Sequence, residues 1–349
     1  MTVVLRLLLV SLLAACALPP AVPDSAPPSR GDALSLRLAP YEDRAHLPPE
    51  VALLPLPEGR AFVLLVQLPG PAPVDLGNPA EAQDGLRRFL DPLAVWRAGT
   101  ELGHAMVGWR CADGTMGLVS KSGDPDNLGL RLLFQGWGLA AALSRYSDGY
   151  LVTPEAIPAR QRRALASGHA SILAEEVPAA ACQSLRQSLV AYLDRPEAER
   201  ARYGMVAESG APLGTGCGGF AVWLAGQGGA LRGLDRHFLR PVLLRDSFVG
   251  QGPVVPPGVT PPAVAPAPPV PLLRLLRGDW DRGRVLGEVV LFDMELLLYS
   301  LERANLAPEQ RLDRVPPGLD QATRHWLGHF ARRMPVRVGQ AGAMVLLRR

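Results

Sequence analysis

The chain has 349 residues, of which 48% are hydrophobic and 20% are charged, so it can bury a sizeable core and is not disordered throughout. Its 36 glycines and 35 prolines follow no G-x-y period, which excludes collagen and predicts proline-rich linkers. The formal net charge is only +3, and the basic residues are scattered arginines with a single lysine, Lys121. Without a concentrated basic patch, nucleic acid is not expected as a partner.

The first residues resemble the signal of a bacterial lipoprotein. One cation, Arg6, precedes the apolar run Leu7–Leu13, which is too short for a membrane-spanning helix of about 20 residues. The run ends in Leu-Ala-Ala-Cys16, which is similar to a lipobox, with the Cys16 thiol as the lipid acceptor. We therefore predict a signal peptide over residues 1–16 and a membrane partner through this lipid, against the alternative of a secretory peptide with a chance cysteine.

The residues after Cys16 indicate the cellular location of the protein and predict a stalk. Ala17 is not the aspartate that retains lipoproteins at the inner membrane, so this resemblance implies an exported protein at the periplasmic face, with the outer membrane favoured. Residues 17–40 begin with a stretch rich in Pro, Ser and Ala, which predicts a flexible stalk.

The chain has four cysteines, so lipidation of one leaves an odd number of thiols. With Cys16 lipidated, Cys111, Cys182 and Cys217 remain in an oxidising compartment. Cys111 and Cys182 could pair, but the sequence does not decide which of the three is left over. The leftover thiol is either buried and inert or kept for chemistry.

Hydrophobic periodicity predicts alternating strands and helices. Two β-type runs around Asp113-Gly114 are typical of a hairpin. The predicted elements are a strand over Ala61–Leu68, a helix over Pro79–Leu93, hairpin strands over His104–Cys111 and Thr115–Ser122, a short helix ending at Arg145, a strand over Ser167–Val177, and helices over Ala179–Leu193 and Cys217–Ala225.

Proline density suggests a domain boundary. Nine prolines lie in residues 253–271, which predicts a stiff linker between a domain over 41–252 and a small C-terminal α/β domain over 272–349. The latter contains the apolar run Val285–Leu301, a terminal run Ala343–Leu347, and His325 and His329. Because no glutamate follows His325, these histidines are not interpreted as a metal site.

Cys217 has the features of a nucleophile. A thiol at a helix N-terminus gains from unpaired backbone N–H groups and the macrodipole, which favour the thiolate. Surrounding glycines, among them Gly216 and Gly218, would let a scissile carbonyl approach, with nearby N–H groups stabilising its oxyanion. His104, on a strand, is the candidate general base.

These residues resemble a known superfamily. Gly103-His104, Tyr203 and Cys217-Gly-Gly-Phe220 are similar to the motifs of the circularly permuted papain-like (NlpC-type) cysteine hydrolases, over about Thr100 to Leu224. The resemblance implies an α+β fold with an antiparallel sheet packed on helices. It also implies a Cys217–His104 dyad, with Tyr203, Gly216 and Gly218 around the substrate, and neither a cofactor nor a metal.

The hairpin register decides the third catalytic candidate. A two-residue loop would place Gly117, Val119 and Lys121 on the face of His104, whereas a three-residue loop would place Ser120 and Ser122 there. The second register suits the chemistry, because a hydroxyl can accept from the imidazole N–H and an ammonium cannot. Ser122 is therefore the candidate.

Two functions follow from these expectations. The first is a lipid-anchored thiol hydrolase or acyltransferase of the cell envelope that acts on an amide or ester bond, with peptidoglycan peptide as the suggested substrate. The second is a non-catalytic envelope lipoprotein with a degenerate papain-like binding domain, since Gly216 stands where the family often has asparagine.

Overall fold

The computed structural model describes residues 30–70, 79–94, 103–123, 126–207, 216–231, 238–252, 254–293, 333–338 and 342–347. The predicted signal peptide, Cys16, His325 and His329 lie outside these residues. Contacts divide the chain into two units, Met1–Leu36 and Arg37–Arg349. The first is described only over residues 30–36, at the start of a helix.

The predicted strands and helices recur among the described elements, although the short helix predicted to end at Arg145 ends at Leu143. The strands are β1 Ala61–Leu68, β2 His104–Arg110, β3 Met116–Ser122, β4 Arg145–Tyr146, β5 Tyr150–Val152, β6 Ser171–Val177, β7 Leu239–Arg245, β8 Val259–Thr260, β9 Val285–Phe292, β10 Arg333–Val338 and β11 Gly342–Leu347. The helices are α1 Arg30–Leu38, α2 Pro49–Ala52, α3 Pro79–Phe89, α4 Leu128–Phe134, α5 Ala140–Leu143, α6 Ala159–Ala166, α7 Ala179–Leu193, α8 Glu197–Arg200, α9 Cys217–Gln227 and α10 Leu272–Arg277.

A seven-stranded sheet organises the larger unit. Its order is β10-β11-β6-β1-β2-β3-β5, and each neighbouring pair is antiparallel except the parallel pair of β11 with β6. The α+β class, with an antiparallel sheet packed against helices, is therefore confirmed. Strand β1 lies between β2 and β6, and all eight of its residues are buried.

The sheet has two covered faces, and strand alternation assigns each residue to one of them. On the first face, Met106 and Leu118 join an apolar core with Ala164 and Leu165 of α6. On the second face, helices α7 and α9 pack against β1 and β2. We call these the α6 face and the α9 face.

The hairpin adopts the second of the two registers considered. Met106 lies opposite Ser120, and the N–H of Cys111 donates to the carbonyl of Thr115 at 2.8 Å. The loop therefore has three residues, as the chemical argument for Ser122 required.

A disulfide fastens the hairpin to α7. Cys111 follows β2, Cys182 lies in the buried stripe of α7, and their Cα atoms are 5.6 Å apart. The pairing that the sequence left open is thus formed, and Cys217 is the free cysteine of the described residues. Beside the disulfide, Arg186 of α7 donates twice to the carboxylate of Glu42, at 2.6 and 2.9 Å.

The proline-rich segment is not a spacer, so the prediction of a linker over 253–271 is wrong. Val259 in β8 pairs with Tyr146, and Val270 is fully buried beside Trp137. Proline excludes the segment from central strands but not from an extended path along a core, in which Val259 and Val270 are buried.

The division into domains over 41–252 and 272–349 is also corrected. Strand β9 pairs with β7 along its length, so elements before and after the proline-rich segment share one sheet. They also share a core, in which Val242 and Leu244 pack with Leu275 and Leu286. Strand β11 extends the main sheet beside β6.

The predicted stalk over residues 17–40 needs correction at its end. Residues 30–38 form helix α1, and Leu38 is fully buried. Arg37 also pairs with Asp194 at 2.6 Å. The proline-rich composition that suggested a stalk belongs to the residues before this helix.

The shared core predicts the effect of truncation. A chain ending at Gly252 loses β9 and Val270, which removes apolar neighbours of Val242, Leu244 and Trp137. We expect it to be insoluble or to lack a cooperative denaturant transition and a near-ultraviolet circular dichroism signal, and co-expression of residues 253–349 to restore both. Cooperative unfolding of the truncated chain at the full-length midpoint would contradict the shared core.

Candidate functional site

Helix α9 begins at the cysteine that the sequence analysis selected. Gly216 precedes it in an extended conformation, and its carbonyl accepts the first helical bond from Phe220 at 3.1 Å. The helix packs on β2 and β3 through an almost wholly apolar surface. It ends before Gly228, where an added Cβ would lie 2.6 Å from Val63.

The sulfur of Cys217 lies among hydrogen-bond donors. Backbone N–H groups of Ala105 and Gly218 and the hydroxyl of Tyr203 donate to it, which by itself favours the thiolate. The side chain is 8% exposed, however, and burial outweighs these donors, so the pKa of Cys217 is raised from its ordinary value. The thiol is therefore protonated at neutral pH.

The Tyr203 ring packs closely against Gly123, and its backbone pairs with Tyr146. An added Cβ on Gly123 would lie 2.5 Å from the Tyr203 ring, and one on Gly216 would lie 3.6 Å from its Cζ. The backbone of Tyr203 exchanges two hydrogen bonds with Tyr146, at 2.7 and 2.9 Å. The backbone N–H of Cys217 donates to the phenol oxygen, while burial raises the pKa of Tyr203 well above its ordinary value.

His104 does not join this group. It pairs with Leu68 and alternates with Ala105, so its side chain lies on the α6 face, together with Leu68 and Met106 of the apolar core. Burial, and then the charge of Arg160 on α6, lower its pKa to about 4. Cys217 approaches from the opposite face, so the predicted Cys217–His104 dyad is not formed.

Ser122 lies on the same face of the sheet as His104 and not on the face that Cys217 approaches. It alternates with Ser120, which lies opposite Met106, so both serines belong to the α6 face. His104 and Ser122 therefore share a face, as the three-residue loop predicts. Helix α9 covers the opposite face, so Ser122 is also separated from the Cys217 thiol.

The predicted site is therefore assembled in part. The structure brings together Cys217, Tyr203, Gly216 and Gly218, and it separates them from His104 and Ser122.

Two polar residues on the α9 face were missed as neighbours of this group. Gln67 pairs with Ala105, and Lys121 lies one step beyond the Met106–Ser120 pair, so a row of residues crosses the sheet beside Cys217. Lys121 is 1% exposed; its ammonium donates to the carbonyl of Arg202 and lies 5.7 Å from the centroid of the Tyr192 ring. The three-residue hairpin loop was the available signal, since it places Lys121 opposite Ala105.

Two clefts occur elsewhere in the described part of the chain. One has a volume of about 20 Å³ and is apolar, and one of about 330 Å³ is polar and lies at the hairpin turn beside Arg44 and Asp113. Neither is lined by Cys217 or His104. Within the described ranges, no three His, Cys, Asp or Glu side chains are grouped as a metal site would require. Among the helices that the structure describes, none is both long and apolar enough to span a membrane.

Comparison with protein-family models, with curated proteins and with solved structures gave no match.

The buried imidazole predicts a pH dependence of stability. The pKa of His104 is about 4 in the folded protein against 6.5 ordinarily, so the unfolded chain binds the proton first as the pH falls. The contribution of neutral His104 to the free energy of unfolding is therefore fully present above pH 6.5. It is lost as the pH falls towards 4, by on the order of 3 kcal/mol. Denaturant unfolding at pH 7 and pH 4.5 should show a smaller decline in His104→Gln. The exposed control His169→Gln should retain the wild-type decline, and an equal decline in all three proteins would contradict the assignment.

Proposed function

We propose that this chain is a lipid-anchored protein of the bacterial cell envelope whose domain is a degenerate, non-catalytic relative of the papain-like hydrolases and serves in binding. The proposal rests on two features, the lipobox-like N-terminus and the buried, protonated thiol of Cys217. The observation that carries the non-catalytic part is the separation of Cys217 and His104 on opposite faces of the sheet.

A thiol hydrolase needs a thiolate and a base within hydrogen-bonding reach. Among the described residues, the groups that hydrogen-bond to the Cys217 sulfur are backbone N–H groups and the Tyr203 hydroxyl, and none of these is a base. The Tyr203 hydroxyl is itself a poor base at neutral pH, since its pKa is raised well above the ordinary value. Burial of the sulfur therefore favours an inert thiol.

One observation favours the second candidate, a thiol hydrolase or acyltransferase acting on an amide or ester bond such as that of a peptidoglycan peptide. The donors around Cys217, at the start of an eleven-residue helix, resemble the surroundings of a catalytic thiolate. This candidate requires a rearrangement that brings a base to the α9 face.

The disulfide supports the export part of the proposal. Disulfides such as Cys111–Cys182 persist in oxidising compartments and are rare in the cytosol. An exported chain that ends its signal at Cys16 would be retained at a membrane by the lipid on that cysteine.

Alkylation rates separate the two functions. In a Cys16→Ser background, with the disulfide intact, folded Cys217 should react with iodoacetamide more slowly than the same thiol in guanidinium at every pH from 5 to 9. The reason is that burial raises its pKa and blocks access. His104→Ala should leave this profile unchanged. Faster labelling of the folded protein at pH 5, abolished by His104→Ala, would establish the hydrolase instead.

Anchoring has a separate test. Cys16→Ser should abolish incorporation of labelled palmitate and move the protein from the membrane to the soluble fraction, or block its processing. Cys217→Ser is the matched control and should retain both label and membrane association. Label retained by Cys16→Ser would refute the lipid anchor without bearing on the thiol chemistry.

A further inference from the structure

Three buried polar side chains lie beside the apolar core of the α6 face. They are His104 at the start of β2, Ser120 in β3 and Gln161 in α6, and they are 5%, 2% and 7% exposed. His104 Nε2, Ser120 Oγ and Gln161 Oε1 each lack a hydrogen-bond partner among the described residues.

The fold places His104 and Ser120 on adjacent strands and puts Gln161 on the buried stripe of the helix that covers this face. Ser120 lies opposite Met106, two residues from His104 on the same side of β2, so the two side chains are diagonal neighbours on adjacent strands. Gln161 precedes Ala164 and Leu165 by one helical turn, on the buried stripe with which α6 covers this face. His104 is also close enough to α6 to feel the charge of Arg160.

Leaving three such groups without partners would oppose folding. A buried donor or acceptor without a partner costs free energy that apolar side chains of similar size would not. Buried polar groups in proteins are therefore bonded either to the protein or to internal water, and an internal water typically makes about three hydrogen bonds.

We propose that His104, Ser120 and Gln161 form a buried hydration site, in which a shared internal water bridges β2, β3 and α6. The chemistry of the three groups fits this ligand. The serine hydroxyl both donates and accepts, neutral imidazole nitrogen does either according to its tautomer, and the amide oxygen accepts. A water can supply the complementary donor or acceptor to each. The site would fix α6 against the sheet through the water.

Direct observation comes first. A crystal structure of the wild-type protein at 1.5 Å or better should show ordered water density within about 2.7–3.2 Å of at least two of the three atoms. Direct hydrogen bonds between the three side chains, with no water among them, would overturn the proposal.

Substitution gives an independent readout in solution. If the Ser120 hydroxyl binds water, Ser120→Ala should lower the melting temperature by about 2 °C or more, whereas an orphaned hydroxyl predicts a rise, because its burial penalty disappears. Ser120→Val should also remove one long-lived internal water from the oxygen-17 relaxation dispersion profile. The exposed-serine control Ser184→Val should remove none. A rise in melting temperature with an unchanged dispersion profile would refute the site.

Discussion

The burial of β1 on both faces is the constraint on which the larger unit depends. Its eight residues alternate between two cores, so each layer of helices is attached to the other through one strand. Pairing with β2 on one edge and β6 on the other satisfies its backbone, which an apolar strand cannot leave open in an interior. The hairpin, the disulfide and α9 are all positioned relative to this strand.

The alternation of side chains along β2 then decides whether Cys217 and His104 can form a dyad. Ala105 presents its backbone N–H to Cys217, while its neighbour His104 is committed to the opposite core. Two residues that a catalytic dyad would join are thus separated by the thickness of a sheet. Shifting β2 by one residue would exchange their faces, but it would also turn Met106 and Trp109 out of their cores. The buried strand pairing therefore opposes the dyad.

The two faces treat polar groups differently. On the α9 face, Cys217, Tyr203 and Lys121 find partners in backbone groups near the ends of strands and helices. On the α6 face, His104 and Ser120 lie within an apolar core, where burial favours the neutral imidazole.

Local patterns in the sequence were sufficient for much of this structure. The continuous apolar run of β1, the Asp-Gly turn, the stripe of α7 and the glycine before Cys217 predicted their elements, because period and turn chemistry are properties of neighbouring residues. The Asp-Gly turn left two hairpin registers open, and the three-residue loop was preferred for the chemistry of a hydroxyl partner to His104. Which face each helix covers, which cysteines pair, and whether the prolines between residues 253 and 271 separate domains depended on tertiary packing. Those outcomes depend on residues distant in the chain, because α9 packs on the face away from His104 and β9 pairs with β7.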